Sequence, residues 1–199
     1  MRYRTILLLG APGAGKGTQG KILGAIPHFF HCSCGDVFRS LAPASPIGRR
    51  FLEYSSRGRL VPDEQTVELW RQHIGAATQS GHFCPETDTL VLDGIPRSIR
   101  QAQMLEGTLD VKAILYLHCP DMQQLVARVQ RRALRDNRLD DARLEVIAAR
   151  LRIYERDTQP LLDYYGKETV HRIDATQAPH EVLCDMLQCI NGAPQPVSV

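Results

Sequence analysis

The sequence predicts an α/β fold: a doubly wound parallel sheet of five strands with helices on both faces. Three observations predict it. Short apolar runs alternate with segments of helical period along the 199 residues, the pattern of strands buried between helices. A glycine-rich loop, Gly10 to Thr18, joins the first apolar run to the first helix-like segment. Polar residues suited to chemistry follow the apolar runs, at the strand ends where such sheets bind ligands.

Thr5 to Leu9 reads as the first strand and Gly15 to Leu23 as the first helix, with Gly24 as its C-cap. His28 to Cys32 is the second strand, ending at Gly35. Asp36 to Arg39 starts a short helix. Pro46 opens another, with Phe51, Leu52 and Tyr54 facing inward as far as Gly58. Pro62 and Asp63 begin a longer one, in which Val67, Trp70, His73 and Ile74 recur at helical spacing. Three successive helices exceed the needs of one crossover, so residues 33–78 read as a helical lobe inserted in the core. Thr89 to Leu92 is the third strand, and Ser98 can cap a helix through Leu105. Val111 to His118 is a fourth strand buried on both faces. Pro120 starts a helix carrying Leu125, Val126 and Val129. The arginine-dense stretch Arg131 to Asp141 interrupts the helical pattern, which resumes from Leu144 to Tyr165. Thr169 to Ile173 is the fifth strand, and Pro179 to Ile190 a closing helix.

Composition excludes several classes. Hydrophobic content of 43% and charged content of 23% are those of a globular chain, and a net charge of +2 points to no nucleic-acid partner. The basic residues are mostly arginine and cluster around positions 128 to 156, a local phosphate-binding signal. Six cysteines without a secretory segment imply free thiols; Cys32 and Cys34 alone lie close, so no structural zinc is expected. No run is long enough for a membrane, which places the chain in the cytoplasm as an expectation.

The glycine loop carries the sharpest chemistry. Glycines let the backbone wrap oxygens with successive N–H groups, and the helix start adds unpaired N–H groups and a positive dipole end. Lys16 supplies a mobile point charge. Gly17 follows it, and the hydroxyl comes one residue later, at Thr18. The loop reads as a nucleotide phosphate site. Asp93, at the end of an apolar strand, stands where a carboxylate orders the waters of Mg²⁺ near such a loop, or simply caps its own turn.

These residues resemble the adenylate kinase family of nucleoside monophosphate kinases. Gly10 to Thr18 is similar to its GxPGxGKGT loop, and Ser33 to Arg39 to its S-(S/T)-G-D-x-(L/F)-R segment. Asp93-Gly94-Ile95-Pro96-Arg97 is similar to its D-G-(F/Y)-P-R signature, and Arg132 to Asp141 to its short lid, R-x5-R-x-D-D. The resemblance implies one kinase unit over 1–199 that moves a phosphoryl group reversibly from ATP to AMP with Mg²⁺; a monomer is the default expectation. It implies a lobe for the monophosphate at 33–78 and a short lid at 131–142.

By the same resemblance, Gly13, Ala14, Gly15, Lys16, Gly17 and Thr18 hold the ATP phosphates, Arg132 lies over ATP, and Gln177 passes its adenine. Arg39 and Arg97 grip the AMP phosphate, while Arg138 and Arg150 bridge donor and acceptor; Arg152 or Arg143 are alternatives to Arg150. Cys34, Arg59, Leu60, Val61, Gly94, Ile95 and Pro96 line the acceptor site, and Gln101 reads the adenine edge. Asp93 reaches the metal through water. Cys34 replaces the family's hydroxyl and Ile95 its aromatic, which keeps a uridylate–cytidylate or broad-range kinase open. A regulatory module that binds nucleotide without turnover is the rival outside enzymes. Arg128 and Arg131 read equally as hinge or surface residues.

Overall fold

The structure, a computed structural model, describes residues 2–136 and 143–192. Five strands form one parallel sheet: β1 (Tyr3–Gly10), β2 (Phe29–Ser33), β3 (Thr89–Asp93), β4 (Leu109–His118) and β5 (Val170–Asp174), in the order β2-β3-β1-β4-β5. The order reverses direction at β1, so the crevice beyond its carboxyl end, between β3 and β4, is the switch point at which such sheets take ligands. The glycine loop leaves β1 there.

The helices are α1 (Lys16–Leu23), α2 (Cys34–Arg39), α3 (Pro46–Ser56), α4 (Asp63–Gln79), α5 (Ile99–Leu105), α6 (Met122–Arg135), α7 (Leu144–Ile153), α8 (Leu161–Tyr165) and α9 (Pro179–Gly192). A π-helical turn, Tyr154–Thr158, follows α7. Period-two alternation along the strands separates two cores. Leu7, Leu9, Leu90, Leu92 and Ile114 face Phe38, Val67, Trp70, Ala102, Leu105 and Leu161. Ile6, Leu8, Val91, Ala113, Leu115 and Leu117 face Leu23, Leu125, Val129, Ile147, Leu151 and Met186. The α4 side chains Val67, Trp70 and Ile74 are fully buried in the first core.

One sequence expectation holds for a different reason, and three change. Gly24 does end α1, but in a right-handed conformation (φ −68°); a Cβ there would stand 2.6 Å from the Cβ of His31, so closeness to β2 calls for glycine. Leu52 is 49% exposed, because Gly48 and Ser55 form the buried face of α3 while Phe51 stacks on Phe38 with ring centroids 5.1 Å apart. The helix expected at Pro120 begins at Met122, capped by the Asp121 carboxylate, which accepts from the N–H groups of Gln123 and Gln124. Finally, Arg131 to Arg135 do not interrupt that helix. Leu125, Val129 and Ala133, four apart and buried, carry it through Arg135.

All six cysteines are free. Burial raises the Cys32 thiol to about 12 and Cys34 to about 11, while Cys84 and Cys184 are exposed. A thiol reagent at pH 8 is therefore expected to modify Cys84 and Cys184 within minutes and leave Cys32 and Cys34 intact until denaturant is added. Mass spectrometry of peptides checks this.

Candidate active site

The carboxyl ends of β1, β2 and β3 open into one cavity of about 910 Å³, a size suited to small-molecule ligands. Its floor is the glycine loop. Gly13 and Gly15 hold φ of 88° and 100°, the left-handed region that favours glycine, and a Cβ on Gly13 would press within 2.6 Å of the Leu125 carbonyl oxygen. The loop ends at the start of α1, where Thr18 and Gln19 donate to the Gly15 carbonyl, and the positive end of a helix favours an anion. The Lys16 ammonium donates to the carbonyls of Gly10 (2.7 Å) and Ala11 (3.1 Å). Burial lowers its pKa to about 8, with Arg97 and Arg132 pushing the same way and Asp93 opposing. Lys16 thus loses its proton above about pH 8 in the free protein, and a bound polyphosphate would restore it. Affinity for a nucleoside triphosphate is expected to weaken as pH rises from about 8 to 10; calorimetric titration at fixed ionic strength checks it.

Arg97 follows β3 through Gly94, Ile95 and Pro96. Its guanidinium Nε donates to the Gly94 carbonyl at 2.9 Å, and a Cβ on Gly94 (φ 81°) would stand 2.9 Å from its Nη2. Glycine there lets the guanidinium lie against the backbone. The Arg97 main chain is held at both ends: its N–H donates to Gln101 Oε1 (2.7 Å), and its carbonyl accepts from the Thr158 hydroxyl (2.8 Å). Burial lowers its pKa; Cys34 and Asp93 oppose this, while Arg150 and Arg39 add to it. An arginine remains charged regardless. Arg39 repeats the arrangement on a smaller scale, pairing with Asp36 at 2.7 Å and lying over Gly35, where a Cβ would meet its Nη2 at 2.8 Å.

Gly13 to Thr18, Arg132 and Gln177 line the cavity, as do Cys34, Arg39, Arg59, Leu60, Val61, Asp93, Gly94, Pro96, Arg97, Gln101 and Arg150. Lys16, Arg39, Arg97, Arg132 and Arg150 therefore meet around one space, although they come from five separate stretches of chain. Arg150 donates weakly to the Ser55 carbonyl (3.4 Å), bringing α7 against the end of α3. Ile95 is the exception. It is 1% exposed, belongs to the first core and does not line the cavity, since an apolar side chain at the end of β3 gains more there. Gln101 is 1% exposed, and both ends of its amide are engaged within the protein. Gln177 donates to Asp185 at 3.1 Å. Arg138 lies outside the described residues, as do Asp140 and Asp141.

Several lining residues escaped the sequence reading. Arg128 and Arg131 both border the cavity, with Arg128 donating to the Ala175 carbonyl at 2.6 Å. Their spacing from Leu125 and Val129 on one amphipathic helix was the available signal. Thr66, Tyr154 and Thr158 also line it; only the fold brings them there.

A family model described as adenylate kinase matches residues 8–170. The chain belongs to the adenylate kinase family. Among its relatives, the adenylate kinase of Synechococcus sp. is 36% identical over 192 residues, covering 93% of this chain and 94% of the relative. That of Thermus thermophilus is 33% identical over 186 residues, covering 90% and 92%. That of Clostridium tetani is 31% identical over 222 aligned positions, covering 94% and 99%. Because 222 positions exceed the 199 residues here, the Clostridium tetani relative carries residues that this chain lacks.

Proposed function

We propose that the protein is a phosphotransferase that moves the terminal phosphoryl group of ATP reversibly to AMP, giving two ADP. The observation that carries this reading is the gathering of Lys16, Arg39, Arg97, Arg132 and Arg150 around a single cavity. Cations gathered around one space gain most when a polyanion lies between them. The glycine loop and Lys16 cradle the ATP phosphates, with Arg132 over them and Gln177 at the adenine. Arg39 and Arg97 hold the AMP phosphate, and Arg138 and Arg150 bridge the two. Phosphoryl transfer between phosphates needs no covalent intermediate, so the work is alignment, charge dispersal and exclusion of water.

Mg²⁺ fits the donor set. Gly17, without a side chain, leaves space beside the Asp93 carboxylate, whose Oδ2 would be 3.6 Å from a Cβ there. Asp93 and the Thr18 hydroxyl are hard oxygen donors, and Mg²⁺ keeps several waters and takes the rest from phosphates. Among the described residues no cluster of three or more His, Cys, Asp or Glu side chains could hold a metal alone. An ion held there would offset the negative charge of the phosphates.

The lobe at 33–78 carries Arg39 and the Arg59–Val61 segment, and the lid at 131–142 begins on the last turns of α6; both are proposed to close over the nucleotides. Since one chain supplies every cation, the active form is proposed to be a monomer. The proposed compartment is the cytoplasm, which suits six free thiols; among the described residues no helix is long and apolar enough to cross a membrane. A coupled assay with ATP and AMP, CMP, UMP or GMP tests the reading. Turnover with AMP at least about a hundredfold above the others is expected from a site that pairs one base edge. Preference for CMP or UMP, or tight nucleotide binding without turnover, would overturn it.

A further inference from the structure

Asp63, the first residue of α4, is joined to the Arg97 turn by a short chain of hydrogen bonds. Its Oδ1 accepts from Gln101 Nε2 at 2.7 Å, and its Oδ2 accepts from the Ser98 hydroxyl at 3.0 Å. Gln101 Oε1 in turn accepts from the Arg97 N–H at 2.7 Å. Ser98 caps α5 by accepting from the Gln101 N–H at 3.1 Å. An ionised carboxylate only accepts, and a backbone N–H only donates. Each neighbour therefore demands one end of the Gln101 amide, and together they fix which end is oxygen and which is nitrogen. An amide is free to flip unless its partners decide the matter.

We infer that Asp63 is a positioning residue that sets acceptor-base specificity by locking the Gln101 amide in one orientation. The inference rests on the reading of this cavity as an AMP site. With one N–H given to Asp63 and one lone pair to Arg97, the amide keeps a single donor and a single acceptor for the cavity, in a fixed order. Adenine offers an acceptor at N1 and a donor at N6, whereas hypoxanthine offers the reverse, N1–H and O6. A fixed amide matches one of these edges and leaves groups unpaired against the other. Without Asp63 the amide is held by the Arg97 N–H alone, its Nε2 end can swing, and the match to the adenine edge loosens. Asp63 does not line the cavity; it acts through Gln101.

The test measures kcat and KM for AMP and for IMP, and KM for ATP, on the full-length wild type, Asp63→Ala and Asp63→Asn, alongside Tm. The wild type is expected to favour AMP in kcat/KM. Asp63→Ala should reduce the AMP/IMP ratio by about tenfold or more, chiefly through KM for AMP, with KM for ATP changed by less than about twofold. Asp63→Asn keeps an oxygen for the Gln101 amide and should hold the ratio within about threefold of wild type. If Asp63→Ala does not fold, Asp63→Ser, too short to reach the amide yet able to sit at a helix start, is read in the same way. An unchanged ratio, equal losses in the alanine and asparagine variants, or parallel rises in KM for ATP and AMP overturn the inference. Absence of wild-type turnover with AMP is a separate result: it removes the functional reading, and the inference with it.

Discussion

Replacing Arg97 with alanine is expected to lower kcat by about a hundredfold or more, the loss typical of one preorganised donor aimed at developing charge. Three observations support so large an effect. The side chain is half-buried at the cavity wall, its Nε is fixed on the Gly94 carbonyl, and its backbone is clamped by Gln101 and Thr158. It is thus held in place before any ligand arrives, so no reorganisation is needed in the reaction. Lysine at this position restores the charge but not the planar fork and should recover only part of the loss. Stability should behave differently. A desolvated cation facing other cations contributes little to the empty fold, so Tm is expected to stay near wild type while turnover falls. Steady-state kinetics and thermal denaturation on the same preparations check both halves. A variant that turns over normally removes Arg97 from the reaction; one that loses Tm and activity together makes it a structural residue.

Gly13→Ala is expected to have the second large effect, on folding and nucleotide affinity together. Its φ of 88° is strained for any residue with a Cβ, and that Cβ would lie 2.6 Å from the carbonyl oxygen of Leu125. The obstacle is backbone on α6, which cannot rotate aside like a side chain. Strain of this kind costs about 1–3 kcal/mol, with overpacking adding a comparable amount. Relief requires the loop to leave α6, carrying the N–H groups of the cradle with it. A fall in chemical-denaturation stability of about 2–4 kcal/mol is therefore expected, with loss of ATP binding measurable by calorimetry. Retained affinity with wild-type stability would show that the loop does not need its present conformation.

The elements that the sequence placed well are those whose pattern is their cause. The strands from Thr5, Thr89 and Val111 are apolar runs that both faces of a parallel sheet must bury, and the glycine loop allows few other conformations. The misses have equally physical origins. Leu52 was expected inside because it is apolar, but the buried face of α3 is made by small residues, Gly48 and Ser55, which hydrophobic period does not weigh. Arg131 to Arg135 looked like a loop by composition, although Leu125, Val129 and Ala133 kept the helical period beneath the arginines. Leu134, 86% exposed, belongs to the same helix and obscured its face. Ile95 shares a motif with Arg97 yet is buried in the first core, because a place in a motif does not say which way a side chain turns. The links from Asp63 to Gln101 and from Thr158 to Arg97 span 38 and 61 residues. Such contacts follow from tertiary packing, and no local pattern announces them.

On the proposed reading, the cavity holds two nucleotides end to end, with the cations of Lys16, Arg39, Arg97, Arg132 and Arg150 around their phosphates. Inhibition by a dinucleotide in which two adenosines are linked through five phosphates tests it most directly. Competition with ATP and with AMP alike is expected, with much weaker inhibition when a pyrimidine replaces the adenosine at the acceptor end. Competition with only one substrate, or equal inhibition by both compounds, would contradict it.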